Sequence, residues 1–312
     1  MMIKNKEQTV AVVGAGVIGC SWAAYYAVKG YKVNVSDVKE GYQENARVRI
    51  STLAAEIPNT DVEKAMEQVS FFTSIKEAVK GVDLVQENGP ERVDIKQQMF
   101  ADFEGFAPEK ALLVSSSSGT VPADLSAKMV APERALIGHP ANPAHLLPVV
   151  EICGGQNTPR ALVERLEKFY RDCGRVTATL NKPIEGFVIN RLQTSLLREA
   201  IHLVGEGVVN VKDLDSLFMA SLGVRWASIG PFLTGQLGGG EGGFRGITEN
   251  ILSSLFASMG FESISIETLD MLEQQTNQFY PMDKMKAFAK VRDERQKAVL
   301  EIQKSHPLPT ND

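Results

Sequence analysis

Short apolar runs alternate with stretches of helical periodicity through the first half of the chain. The runs at 9–13, 32–36, 69–72, 84–86, 112–115, 135–139 and 149–152 are mostly apolar, the pattern of strands covered on both faces. Helical stretches fall between them. One runs from 20 to 29 and ends at Gly30, and Ser74 and Gly81 bracket a second. A third spans 159–173, with Thr158 expected as its N-cap, Pro159 in its first turn and Gly174 as a left-handed C-cap. Strand and helix in alternation predict βαβ units on a mostly parallel sheet.

After Lys182-Pro183 the strand pattern stops. The segment 185–209 reads as one long helix with Leu192, Leu196, Ala200 and Leu203 at helical spacing, and Leu197, Ile201 and Val204 make its other sides apolar too. Such a helix is expected to be buried all round, which points to a homodimer joined through the C-terminal helical domain. The division is therefore expected near residue 183, with an α/β domain over 1–183 and an all-α domain over 184–312. The rest of the second domain should be helical except for 235–246, whose seven glycines suggest a segment that closes over a cleft. The charged stretch 283–304 reads as a solvated helix.

Two packed domains suit a chain of 312 residues that is 44% hydrophobic. Its net charge of -5 is spread without acidic or basic blocks, which argues against nucleic acid or an anionic membrane as partner and leaves small molecules. Three scattered cysteines, Cys20, Cys153 and Cys173, make neither a disulfide framework nor a zinc cluster, so no metal is expected and a reducing cytoplasm fits. Residues 1–9 lack the apolar core of an export signal, and no run approaches the ~20 apolar residues of a membrane span.

The first strand runs into Gly14-Ala15-Gly16-Val17-Ile18-Gly19 and then a helix of small residues. In a dinucleotide-binding loop the first glycine permits the tight turn, the second lets the backbone approach a pyrophosphate, and the third lets helix and strand pack closely. The helix N-terminus then faces the anion. A second strand ends in Asp37, where a carboxylate accepts from the adenosine ribose hydroxyls and repels a 2′-phosphate. No arginine follows it directly, so a Rossmann-type domain holding NAD rather than NADP is the reading; a bare tight turn or FAD is the alternative.

Passing hydride to NAD requires a base for the alcohol proton, and histidine is the usual one. Of four histidines, His306 lies in a tail expected to be disordered, and His202 sits inside the apolar helix as an expected core residue. His139 and His145 remain. His139 follows an apolar strand, at the carboxyl end where open α/β sheets place ligands. Twelve residues on, past a proline-rich turn, Glu151 lies on the next run, either as an orienting partner of His139 or as an ordinary strand acid.

The segments Gly138-His139-Pro140-Ala141-Asn142-Pro143, Val149-Val150-Glu151 and Glu185-Gly186-Phe187-Val188-Ile189-Asn190-Arg191-Leu192 resemble the L-3-hydroxyacyl-CoA dehydrogenase family, and the resemblance extends through about Gly246. It implies that His139 is the base and Glu151 its partner. It also implies that Asn190 contacts the substrate oxygen or the histidine, and that Asn142 lies near the nicotinamide. In the run Ser115–Ser118 it implies that Ser118, with Ser117 as second choice, reaches substrate and nicotinamide. Glu91 and Lys96 take the places of nicotinamide-ribose contacts.

Some features depart from the CoA-dependent members. The segment between Asp37 and Phe71 is shorter and less basic than their CoA-gripping arm, and Pro140-Ala141 replaces an aromatic pair. Ser21-Trp22-Ala23, Asn190-Arg191-Leu192-Gln193 and the stretch 222–231 look more like the branch holding L-gulonate 3-dehydrogenase, lambda-crystallin and carnitine dehydrogenase. That implies a small free 3-hydroxy acid as substrate. Arg225 would meet its carboxylate, unless it forms a structural salt bridge. Carnitine needs an aromatic face for its trimethylammonium. Carnitine dehydrogenases carry an aromatic residue where this chain has Ala141, and only Trp226 or Phe244 stands as a substitute. A true 3-hydroxyacyl-CoA dehydrogenase and a noncatalytic, crystallin-like NAD-binding protein are the competing readings.

Overall fold

A computed structural model describes residues 8–307. The reading of the first residues as lacking an export signal lies almost wholly outside that range. Eight strands form one sheet: β1 (Thr9–Val13), β2 (Lys32–Ser36), β3 (Val69–Phe72), β4 (Leu84–Glu87), β5 (Leu112–Ser115), β6 (Ala135–Pro140), β7 (Val149–Gly154) and β8 (Val176–Thr179). Their order is β3-β2-β1-β4-β5-β6-β7-β8. Every neighbouring pair is parallel except β6 with β7. The order reverses between β1 and β4, the switch point at which such sheets bind ligands beyond the strands' carboxyl ends.

The strands are apolar because helices cover both faces. On one face α1 (Val17–Val28), α2 (Tyr42–Ala55), α3 (Val62–Met66) and α7 (Arg160–Asp172) contribute to a core that includes Trp22, Tyr26, Ile50 and Tyr170. On the other, α5 (Val93–Phe106) supplies Phe100 and Phe103 and α6 (Pro122–Leu125) supplies Leu125, with α4 (Ile75–Ala78) beside them. The strand β8 was not legible from the pattern, since three of its four residues are exposed at the sheet edge.

Several expectations about helix ends are corrected. Thr158 does not cap α7; its hydroxyl donates to Glu133 O at 3.0 Å and accepts from Gly155 N at 2.8 Å, closing the turn before the helix, and Pro159 occupies the N-cap. Gly174 does adopt the left-handed conformation after it, with φ +87°. The long helix α8 begins at Ile189, not Glu185, because Gly186 and Phe187 take positive φ, +75° and +47°. It ends at Gly205, and none of its residues is buried. His202 is accordingly exposed rather than a core residue.

The chain divides into two compact units at Leu196/Leu197, inside α8. The second unit continues with α9 (Val211–Phe218), α10 (Val224–Ser228), α11 (Pro231–Gly238), α12 (Gly243–Ile247), α13 (Ser253–Ser258), α14 (Ile266–Phe279) and α15 (Met285–Ser305). The glycine-rich stretch expected to interrupt the helices is itself largely helical. A Cβ on Gly235 would lie 2.8 Å from the Phe244 ring and one on Gly239 would lie 1.7 Å from Gly243 O, so these glycines let α11 and α12 approach each other. His306 directly follows α15 and pairs with Ser305 Oγ at 3.0 Å. Among the described residues no helix is long and apolar enough to cross a membrane.

Candidate active site

The turn after β1 is built as the glycine spacing requires. Gly14 has φ +99°, and a Cβ there would meet Asn88 O at 2.4 Å; one on Gly19 would sit 1.8 Å from Gly14 O. A Cβ on Gly16 would meet nothing within 4 Å, so its backbone is bare toward solvent where a pyrophosphate would lie. Val17 and Ile18 open α1, and Val17 is 60% exposed. Asp37 holds the loop: its carboxylate accepts from Ala15 N at 2.7 Å and from Lys39 N at 2.9 Å. A cavity of about 420 Å³ between the loop and Asp37 has Val38, Ile75, Pro90 and Ile95 among its walls, apolar enough for an adenine. The residues present therefore fit NAD.

The four serines after β5 do four different things. Ser115 Oγ donates to Glu87 Oε2 at 2.5 Å. Ser116 Oγ accepts from the Trp22 indole at 3.1 Å and from Gln86 at 2.8 Å, and donates to Asn88 at 2.8 Å. Ser117 Oγ donates to Glu91 at 2.8 Å, while Ser118 N donates to the other Glu91 oxygen at 3.0 Å. The Ser118 hydroxyl has no hydrogen-bond partner among the described residues. Lys96 does not point toward the groove as expected. Its ammonium is buried and bonds both oxygens of Glu87, at 2.8 and 2.9 Å, lying 3.7 Å from Glu91.

His139 and Glu151 are register partners across the single antiparallel pairing of the sheet. Their side chains meet with Nδ1 2.8 Å from Oε2, both buried. The other Glu151 oxygen accepts from Val188 N at 2.8 Å and Ile189 N at 3.0 Å, so this carboxylate also caps the start of α8. Burial opposes its charge, yet the hydrogen bonds from His139 and from those two amides prevail and hold it below the ordinary carboxylate range. Phe187 is fully buried with its ring 5.3 Å from the imidazole. One residue into α8, Asn190 donates to Ser118 O at 3.3 Å, which ties the serine loop to the helix.

Asn142 is exposed on the loop after β6. His145 is spoken for elsewhere: its ring bridges Ser21 Oγ at 2.8 Å and Glu56 at 2.7 Å. In the second unit Arg225 and Trp226 are exposed neighbours on α10, and Arg225 has no ion-pair partner among the described residues. Phe244 is withdrawn as an aromatic face, being buried against Phe232 and Gly235. Glu87 and the amides of Val188 and Ile189 were missed from the sequence. A lone acid ending the apolar strand β4 was the available signal for Glu87.

Residues 9–183 match the model of the 3-hydroxyacyl-CoA dehydrogenase NAD binding domain, and 186–280 that of the family's C-terminal domain. An L-carnitine dehydrogenase of Oceanobacillus iheyensis is 36% identical over 77% of this chain and 79% of its own length. One from Pseudomonas putida is 32% identical over 96% of this chain and 94% of its own. The crystal structure of a 3-hydroxyacyl-CoA dehydrogenase from Archaeoglobus fulgidus superposes with a TM-score of 0.74 at 25% identity, covering 96% of this chain and 100% of that one.

Proposed function

Since the chain belongs to the 3-hydroxyacyl-CoA dehydrogenase family and is an NAD-dependent oxidoreductase acting on a CH–OH group, we propose that it oxidises the 3-hydroxyl of a small free L-3-hydroxy acid, carnitine-like or gulonate-like, with His139 as base. The observation that carries this is the chain of contacts from the α8 amides through Glu151 to His139, at the carboxyl end of β6. An ionised Glu151 only accepts, so the Nδ1 proton belongs to His139 and Nε2 is left with its lone pair. Nε2 takes the hydroxyl proton as the C3–H bond breaks, and Glu151 stabilises the imidazolium that results. Bound NAD+ supplies the hydride acceptor.

Ser118 and Asn190 hydrogen-bond the oxygen as it becomes a carbonyl, and their mutual contact fixes the spacing between them. Glu91 and the glycine loop, with Asp37, hold the dinucleotide, and Asn142 lies toward its nicotinamide. Arg225, exposed and without an ion-pair partner among the described residues, carries a guanidinium suited to a carboxylate. The relatives named as carnitine dehydrogenases support a free acid over a thioester. The protein works as a homodimer, which gives the exposed apolar residues of α8 a covering.

NAD reduction measured over a panel of free L-3-hydroxy acids, L-carnitine and 3-hydroxybutyryl-CoA tests the reading. A free acid should give the largest kcat/KM. Turnover confined to the thioester would move the protein to the CoA-dependent branch, and NADH binding without turnover of any of them would favour a noncatalytic role.

A further inference from the structure

We infer that Glu87 is a positioning residue for the cofactor, acting through its buried ion pair with Lys96 to set the two loops that flank the dinucleotide groove. Glu87 is 0% exposed and Lys96 1% exposed. Burying such a pair is costly, and an apolar pair of similar volume is often as stable or more so. Stability alone therefore gives poor reason for two charges beneath the groove. What the carboxylate does is collect donors from both sides. Lys96 bonds both of its oxygens, Gly89 N donates to Oε1 at 2.5 Å, and Ser115 Oγ donates to Oε2.

The tethers continue outward. Ser115 Oγ accepts from Ser117 N at 3.0 Å, and the Lys96 ammonium lies 3.4 Å from Gly89 O. Glu91, half-exposed, then closes the arrangement by accepting from Ser117 Oγ and Ser118 N across the groove wall. The turn 88–91 and the loop 115–118 are thus fixed relative to each other from below by Glu87 and from above by Glu91. On this account Lys96 is no ribose ligand; it neutralises Glu87 so that Glu91 and Ser118 are presented in register. The inference rests on the roles proposed above for Glu91 and Ser118, but its affinity, melting and exchange readouts need no substrate.

The full-length double variant Glu87→Met/Lys96→Met removes both charges together, and the single variant Glu87→Gln keeps the shape but not the carboxylate that accepts from three donors. Each is measured for NADH affinity by fluorescence, for melting temperature, and for amide hydrogen exchange at Gly89, Glu91 and 115–118 without cofactor. The double variant should melt near the parent yet bind NADH at least tenfold more weakly and exchange faster in both loops. At saturating NAD its kcat should fall far less than its KM for NAD rises. Glu87→Gln should show the same loosening to a smaller degree. Parental NADH affinity and loop protection in either folded variant would overturn the inference, leaving the pair a purely structural one. A parent protein that binds NADH but oxidises no 3-hydroxy acid would instead remove the proposed function and leave the affinity, melting and exchange readouts standing.

Discussion

A carboxylate that orients an imidazole has to remain ionised, and Glu151 is arranged to do so. Desolvation works against its charge, but the bonds from His139, Ile189 N and Val188 N bring its pKa below the ordinary 4.5. A depressed folded value means that the charged group contributes stability fully present above pH 4.5 and lost as the pH falls through the folded value. Glu151→Gln should therefore flatten the acid limb of melting temperature against pH below 4.5, and lower kcat at neutral pH by on the order of 10²-fold. An acid limb identical to the parent's would contradict the coupling. His139→Ala should reduce kcat by about 10²- to 10⁴-fold while NADH affinity, read by fluorescence titration, stays within about twofold. Weak NADH binding in that variant would place His139 in the cofactor site instead. At this scale the spacing showed His139 as a strand-end histidine and left Glu151 either a partner or a bystander, and only the family resemblance implied the pairing. Register across β6 and β7 made the difference, and register depends on the turn between the strands rather than on either strand alone.

At the scale of elements, strands β1, β2, β3 and β5 were readable to the residue, since β1 and β5 are mostly buried apolar runs and β2 and β3 keep apolar residues at most of their inward positions. The edge strand β8 and the start of α8 were not. The first has little to bury, and the second is fixed by Phe187, whose positive φ goes with burial of its ring beside His139. The glycines of α11 and α12 hid the helices for a related reason: composition alone does not separate an irregular segment from a close helix crossing. A Cβ on Gly239 would lie 1.7 Å from Gly243 O. Gly239→Ala should consequently destabilise the second unit by about 1–3 kcal/mol through overpacking, seen as a lower urea midpoint. An unchanged midpoint would mean that the crossing is loose enough to act as a moving cover.

For the whole molecule, the side chains of α8 carry the clearest unmet demand. Leu192, Leu197 and Ile201 are 65%, 55% and 63% exposed, a loss of burial that the proposed homodimer would recover at roughly 25 cal/mol per Å². Leu197→Glu should turn a sedimenting dimer into a monomer, and a parent that already sediments as a monomer would refute the proposal. The cysteines make a second whole-molecule test. Burial raises the thiols of Cys20 and Cys153 to about 11 and that of Cys173 to about 12, so at pH 8 they are protonated and inert. Iodoacetamide should label none of them until the chain unfolds, and rapid labelling of the native protein would show that the fold opens.

The sequence by itself determined the α/β class, the glycine loop with Asp37, and the candidacy of His139, because each depends on local periodicity or on residues close along the chain. Tertiary structure alone decided that Glu151 also caps α8, that Lys96 turns inward to Glu87, and that the hydroxyls of Ser115, Ser116 and Ser117 donate to Glu87, Asn88 and Glu91 in turn. Those assignments join residues from separate strands and helices, and only the packing of the sheet brings their donors and acceptors within 3 Å of one another.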